Sequence, residues 1–157
     1  MQFVFVRHGQ YDGKGLSRAE RKLAPLNDKG RTAAQAAGEY MKQENITPDF
    51  VITTDAERTK ETARIILDAL EVTDVEPQAK VGGFRKGKAT IERKLGEWLG
   101  ETEPAVVMFV GHLPSQQYCV SDLPGSPNVP NENRSCVLLY ERTSAGWSLL
   151  KEHPGVS

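Results

Sequence analysis

The chain has 157 residues, of which 38% are hydrophobic and 26% charged, with a formal net charge of -1. That length suits one domain able to bury about two-thirds of its unfolded surface, and the balanced mixture of charges excludes a disordered chain or a coiled coil. With no global positive field, neither nucleic acid nor an anionic membrane is an expected partner, so any affinity for anions must be local.

Met1 to Val6 is apolar but is cut short by Arg7 and His8. A signal peptide needs a longer apolar core, and no 18-residue apolar run occurs anywhere. The expectation is a cytoplasmic protein that begins at Met1, with residues 1–157 forming one domain. Cys119 and Cys136 are the only cysteines and have no metal-ligand spacing. Reduced core thiols are therefore expected, with a disulfide between them the less favoured alternative.

Gln2–Val6 reads as a β-strand, followed by a polar, glycine-bearing segment from Gly9 to Gly15. Asn27 or Asp28 can cap a helix to about Gln43, with Ala33, Ala36, Ala37, Tyr40 and Met41 on one face. Asp49–Thr53 is a second buried strand. Thr54 or Asp55 can cap the next helix, whose stripe is Ala63, Ile66, Leu67 and Leu70. A weaker strand is expected within Val75–Val81, and the basic residues Lys80, Arg85, Lys86 and Lys88 lie in and after it.

Ile91, Leu95, Trp98 and Leu99 share one face of a further helix that stops near Gly100. Ala105–Val110 is a continuous apolar run of the kind buried on both faces of a sheet. Pro114 can open a short helix to about Val120, and Pro124–Asn133 reads as a loop. Cys136–Tyr140 and Trp147–Leu150 form a closing hairpin through Ser144-Ala145-Gly146. Strands alternating with helices give an α/β fold, a three-layer α/β/α sandwich with a mainly parallel central sheet and a C-terminal hairpin. In such sheets ligands bind beyond the carboxyl ends of the strands.

Of the three histidines, His8 ends the first strand and His112 follows the Ala105–Val110 strand, each beside a glycine. Taken singly, either is explained by a satisfied core or loop histidine; the pair at two central strand ends points to chemistry. His153 lies in the polar tail and reads as exposed. Arg7 adjoins His8, and Arg58 starts the helix after the second strand, where Thr54–Arg58 would form a first turn with unpaired N–H groups. Alone, Arg58 would be an exposed partner of Glu57 or Glu61. Together, guanidinium groups that bind phosphate oxygens in pairs and two histidines make a clamp for a tetrahedral dianion.

Four segments in order now carry a resemblance. Arg7-His8-Gly9 after an apolar strand resembles the signature of the histidine phosphatase superfamily, which includes the cofactor-dependent phosphoglycerate mutases. Pro25-Leu26-Asn27-Asp28-Lys29-Gly30 resembles the family's leucine–threonine–x–x–glycine helix start, with Asn27 in place of threonine. Thr54 to Ala63, containing Arg58, resembles the phosphate-binding segment ending in threonine–alanine. Gly111-His112-Leu113-Pro114 resembles the element bearing the second catalytic histidine. The short chain is similar to the single-domain phosphohistidine phosphatases.

The resemblance implies that His8 attacks phosphorus and becomes transiently phosphorylated, with Arg7, Arg58 and His112 as its catalytic partners. It implies substrate contacts from Arg7, Gly9, Gln10, Arg58 and His112, no cofactor and no metal. The substrate would be a phosphorylated protein, above all one carrying phosphohistidine, or a small phosphorylated metabolite; the small size and even charge of the chain make a monomer the expected state.

One feature departs from the family. Many members carry a glutamate after the third strand to protonate the leaving oxygen, but Val81 to Lys88 contains no acid. Asp12, Asp55, Glu57 and Glu76, the last expected on the strand, are the alternatives. A site without a strong acid suits a phosphoramidate better than an alkyl phosphate, because imidazole leaves more readily than an alkoxide. Arg85, Lys86 and Lys88 could rim the site for an acidic protein or be a solvated loop. Two rival readings are a phosphate-binding module of weak activity and a metal hydrolase using both histidines; Arg7 beside a ligand histidine counts against the second.

Overall fold

The computed structural model describes residues 1–81, 90–112, 123–124 and 133–156. Arg85, Lys86, Lys88, Leu113-Pro114, the expected helix to Val120, Cys119 and most of the Pro124–Asn133 loop lie outside them. The elements run β1 (Gln2–Arg7), α1 (Arg18–Leu23), α2 (Asp28–Gln43), β2 (Phe50–Thr54), α3 (Glu57–Ala69), β3 (Gln78–Val81), α4 (Ile91–Leu99), β4 (Val106–Gly111), β5 (Val137–Thr143) and β6 (Gly146–His153).

The six strands form one sheet in the order β3-β2-β4-β1-β5-β6. The first four are parallel to one another, and β5 and β6 join as an antiparallel hairpin. Side chains alternate across the sheet, as extended backbone requires. Phe3, Phe5, Val107, Phe109, Leu138 and Tyr140 meet α4 on one face. Val4, Val6, Met108, Val110, Val137 and Leu139 meet α2 and α3 on the other. The chain thus travels outward from β1 over one face and returns through α4 over the other, which keeps parallel crossovers in the favoured hand. The expected three-layer α/β/α sandwich is the fold found. β1 and β4 lie side by side, with Arg7 opposite Gly111, so the two histidine-bearing strand ends are neighbours.

Several elements differ from the sequence expectation. α2 is capped by Asn27, whose side chain accepts from Gly30 N–H, but its buried face uses Ala34 and Gly38 while Ala36 is exposed. α3 begins at Glu57 behind Ala56, with no side-chain cap. Thr54 and Asp55 are committed elsewhere: the Thr54 hydroxyl to Thr59 and His112, and Asp55 to Lys22. β3 is confined to Gln78–Val81, so Glu76 precedes the strand. The closing hairpin is longer than expected, reaching Thr143 and His153. That extension pairs His153 with Val137 and stacks its ring on Tyr40 at 4.9 Å, half-buried, where desolvation lowers its pKa. Cys136 is a buried free thiol whose pKa burial pushes up to about 11.

Helix α1 has no counterpart in the sequence reading. None of its residues is buried, so it has no apolar stripe. A capping box holds its start: the Ser17 hydroxyl accepts from Glu20 N–H and the Glu20 carboxylate accepts from Ser17 N–H.

Candidate active site

The site lies at the carboxyl ends of β1, β2 and β4. His8 is 4% exposed, and its main-chain N–H donates to Gly111 O at 2.9 Å, which ties the two strand ends together. The next residue must pass close under α2. A Cβ on Gly9 would sit 2.7 Å from Gly30 O, and one on Gly30 would collide with Gln10 O. Both positions therefore require glycine. Gly9 N–H is engaged by the Thr62 hydroxyl at 3.0 Å, and that hydroxyl donates to Arg58 O at 2.7 Å. The first turn of α3 is in this way fixed to the loop that carries His8.

His8 Nδ1 lies 2.7 Å from Gly9 O. A carbonyl only accepts, so Nδ1 bears the proton and Nε2 carries the lone pair. The His8 pKa is held well below its ordinary value, chiefly by burial, with the charges of His112, Arg58 and Arg7 acting in the same direction and the bond to Gly9 opposing them. The ring is neutral at neutral pH.

The His112 ring packs edge-on against His8 with centroids 5.1 Å apart. Arg58 Nη2 lies 3.1 Å from His112 Nδ1. Arginine only donates, so Nδ1 accepts and Nε2 bears the proton. That N–H points at Thr54 Oγ1, 3.2 Å away. The Thr54 hydroxyl then donates to Thr59 Oγ1 at 2.9 Å, and Thr59 donates to Ala56 O at 2.8 Å. A chain of two buried hydroxyls thus orients the second histidine. Burial, then Arg58 and Arg7, lower the pKa of His112 to about 3.

Arg58 is itself held on three sides. Its Cζ stacks 4.5 Å above the Tyr11 ring, Nη1 donates to Arg21 O of α1 at 2.9 Å, and Nη2 meets His112. Tyr11 also stands edge-on to His8 at 5.8 Å. Arg7 acts on both histidine pKa values. The structure therefore brings together His8, Arg7, Arg58 and His112, as their strand-end positions suggested. Gln10 lines a neighbouring cavity of about 520 Å³ with Thr32, Ala33 and Arg134.

Of the four carboxylates considered as acids, three are engaged with other residues and one is exposed away from the carboxyl ends of the strands. Asp12 accepts from Asn27 Nδ2 at 3.1 Å, Asp55 pairs with Lys22 at 3.0 Å, Glu57 meets Lys60 at 3.5 Å, and Glu76 is exposed ahead of β3. Among the described residues there is no cluster of three metal-ligating side chains, and no helix is long and apolar enough to cross a membrane. Tyr11, Thr54, Thr59 and Thr62 also belong to the site, although the sequence pattern offered Thr54 only as a helix-cap and first-turn residue and assigned the other three no role. Their partners lie up to 58 residues away along the chain.

The α/β sandwich thus carries a buried neutral histidine at one strand end, with an arginine and a second histidine converging on it. The sequence matches the Histidine phosphatase superfamily (branch 1) over residues 3–113, and the chain belongs to that family. It is 36% identical over 99 residues to the 2,3-bisphosphoglycerate-dependent phosphoglycerate mutase of Bartonella henselae, covering 62% of this chain and 44% of that protein. It is also 36% identical over 72 residues to the uncharacterized phosphatase PhoE of Bacillus subtilis, covering 45% of this chain and 36% of that one. The chain thus spans less than half the length of these relatives.

Among solved structures, the protein histidine phosphatase SixA complexed with tungstate aligns with a TM-score of 0.71 at 20% identity, covering 98% of this chain and 97% of that one. A mycobacterial glucosyl-3-phosphoglycerate phosphatase bound to inorganic phosphate aligns at 0.60 and 18%, covering 96% and 95%. These two likenesses concern the fold.

Proposed function

We propose that this protein is a phosphatase that removes phosphoryl groups through a covalent phospho-His8 intermediate, acting on phosphohistidine in proteins. The observation that carries the reading is the state of His8: buried, neutral, with its proton fixed on Nδ1 by Gly9 O and its Nε2 lone pair available.

In the first step, the His8 Nε2–phosphorus bond forms as the bond from phosphorus to the leaving group breaks. Arg7 and Arg58 hold the equatorial oxygens, and His112 lies beside them. Positioning and fixed charge supply most of the rate, as expected for phosphoryl transfer. Water then attacks phosphorus, releasing inorganic phosphate and restoring Nε2.

The leaving group separates phosphohistidine from alkyl phosphates. A phosphoimidazole protonated on its far nitrogen departs as neutral imidazole, whereas an alkoxide must receive a proton as it leaves. The engagement of Asp12, Asp55 and Glu57 with Asn27, Lys22 and Lys60 supports the first class of substrate, as does the acid-free stretch from Val81 to Lys88. A small-molecule phosphomonoesterase is the second reading, favoured by the likeness to phosphoglycerate mutases and to a sugar-acid phosphatase.

A substrate panel tests the choice. Phosphohistidine peptides and phosphoramidate should exceed sugar phosphates in kcat/KM, and Arg58→Ala should weaken vanadate binding and turnover of every substrate. Sugar phosphates ranking first would overturn the phosphohistidine assignment. Stoichiometric retention of phosphate without turnover would instead indicate a binding module.

A further inference from the structure

Beside the histidine pair lies an open cleft of about 390 Å³, lined by Tyr11, Asp12, Gly13, Lys14, Arg21 and Arg134. It adjoins the site through two shared parts. Tyr11 packs under Arg58 and against His8, and the carbonyl of Arg21 holds the Arg58 guanidinium. Arg134 also lines the cleft. Its main chain pairs with Val156, and the following residue, Ser135, donates its N–H to Arg7 O.

Among the described residues, three cations and one carboxylate line this cleft, in a protein whose net charge is -1. Among the described residues none of the three cations forms an ion pair, although nine such pairs occur elsewhere on the surface. Asp12, the one acid among the described residues of the cleft, is instead bonded to Asn27. Arg134 Nε is buried and has no hydrogen-bond partner among the described residues. A buried guanidinium nitrogen left without an acceptor is costly unless a ligand satisfies it.

We propose that this cleft is a second anion subsite, taking a carboxylate or phosphate carried by the substrate close to the phosphoryl group that His8 attacks. The proposal rests on the reading of His8 and Arg58 as the phosphoryl site and extends it to substrate selection. Arg134 supplies a fork for two oxygens, while Lys14 and Arg21 supply adjustable charge at the rim. Because Tyr11 lines the cleft and stands edge-on to His8 at 5.8 Å, the second anion belongs within a few bonds of the phosphorus. An acidic residue flanking phosphohistidine and the carboxylate of a small phosphorylated acid present the same chemistry.

The test is equilibrium binding of non-hydrolysable phosphonates to the intact protein. Phosphonoacetate, 3-phosphonopropionate and 4-phosphonobutyrate are compared by calorimetry with alkyl phosphonates of equal length, for wild type, Lys14→Glu and Arg21→Glu. Both substituted side chains are exposed, so the fold is retained. At least one carboxylated ligand should bind wild type roughly fivefold or more tightly than its alkyl counterpart, the scale of a charge-assisted contact. That ratio should fall toward one in each variant.

A ratio near one at every chain length in wild type overturns the subsite, and so does a ratio that survives both substitutions. Failure of the alkyl phosphonates themselves to bind would overturn the phosphoryl-site reading, and the subsite with it, by a different signature. Phosphohistidine peptides with Asp or Asn beside the modified residue then identify the source. Faster turnover of the Asp peptide points to a protein, and equal turnover with tight phosphonocarboxylate binding points to a small acid.

Discussion

Replacing Thr54 with valine keeps the shape of the side chain and removes one oxygen. Thr54 is 1% exposed, and that oxygen serves three partners: His112 Nε2 at 3.2 Å, Thr59 Oγ1 at 2.9 Å and Ala56 N–H at 3.4 Å. Its loss removes the hydroxyl that accepts from the half-buried His112 N–H, a cost of about 1–3 kcal/mol. If the ring escapes that cost by turning, Nδ1 leaves Arg58 and the alignment of the site is lost with it. With each 1.36 kcal/mol worth tenfold in rate, kcat should fall roughly 10-fold or more while KM changes little. Thr54→Ser, which keeps the hydroxyl, should recover most of the loss.

The assay pairs steady-state kinetics on phosphoramidate with ¹⁵N imidazole shifts of His112, measured well below the melting temperature. Wild type should show the Nε2–H form, and Thr54→Val a mixture. A folded valine variant with wild-type kcat and unchanged His112 shifts would refute the idea that the hydroxyl chain orients this histidine.

Two predictions concern stability and pH. His112 is protonated more readily in the unfolded chain, at an ordinary pKa near 6.5, than in the folded protein, where its pKa is about 3. Its contribution to stability is therefore complete above 6.5 and lost as pH falls through the window between those values, at up to about 1.4 kcal/mol per pH unit. Urea titrations from pH 7.5 to 4 should show this slope, reduced in His112→Gln; equal slopes would argue against a neutral buried ring. Since His8 is also held below its ordinary value, kcat/KM should stay flat through pH 6.5. Gly30→Ala should destabilise strongly and reduce activity, because its methyl group would strike the Gln10 carbonyl in the loop behind His8; a melting temperature within a degree of wild type would contradict that packing.

The central strands β1, β2 and β4 were legible in the sequence because they are apolar runs buried on both faces, and Ala105–Val110 needed only a one-residue shift to become β4. Helix α1 was illegible to periodicity because it buries nothing. Its one local signal was the Ser17-Arg-Ala-Glu20 capping pattern. Alanine carries a weak hydrophobic signal, so the buried face of α2 was drawn through Ala36 where the structure buries Ala34. The cap of α3 was misassigned because Thr54 resembles a cap residue locally while its hydroxyl serves His112, 58 residues away. His153 seemed exposed because the reach of β6 onto Tyr40 is a tertiary fact.

The clustering of His8, Arg7, Arg58 and His112 followed from strand-end topology, and residue chemistry supplied the rest. Tyr11 beneath Arg58 and the Thr62 tie to Gly9 depend on contacts that no spacing encodes. Gly9, expected to contact substrate, has its N–H engaged by Thr62, and the structure gives it the task of letting the loop pass under Gly30.

The central claim is that His8 Nε2 becomes bonded to phosphorus. Rapid quenching of the protein with phosphoramidate at mildly alkaline pH, followed by intact-mass and peptide mapping under conditions that preserve phosphoramidates, tests it most directly. The account predicts one phosphoryl group per chain, mapped to His8, present in the steady state and absent from His8→Ala, which should also lack turnover. Full phosphatase activity in His8→Ala, or a phosphoryl group mapped to another residue, would contradict it.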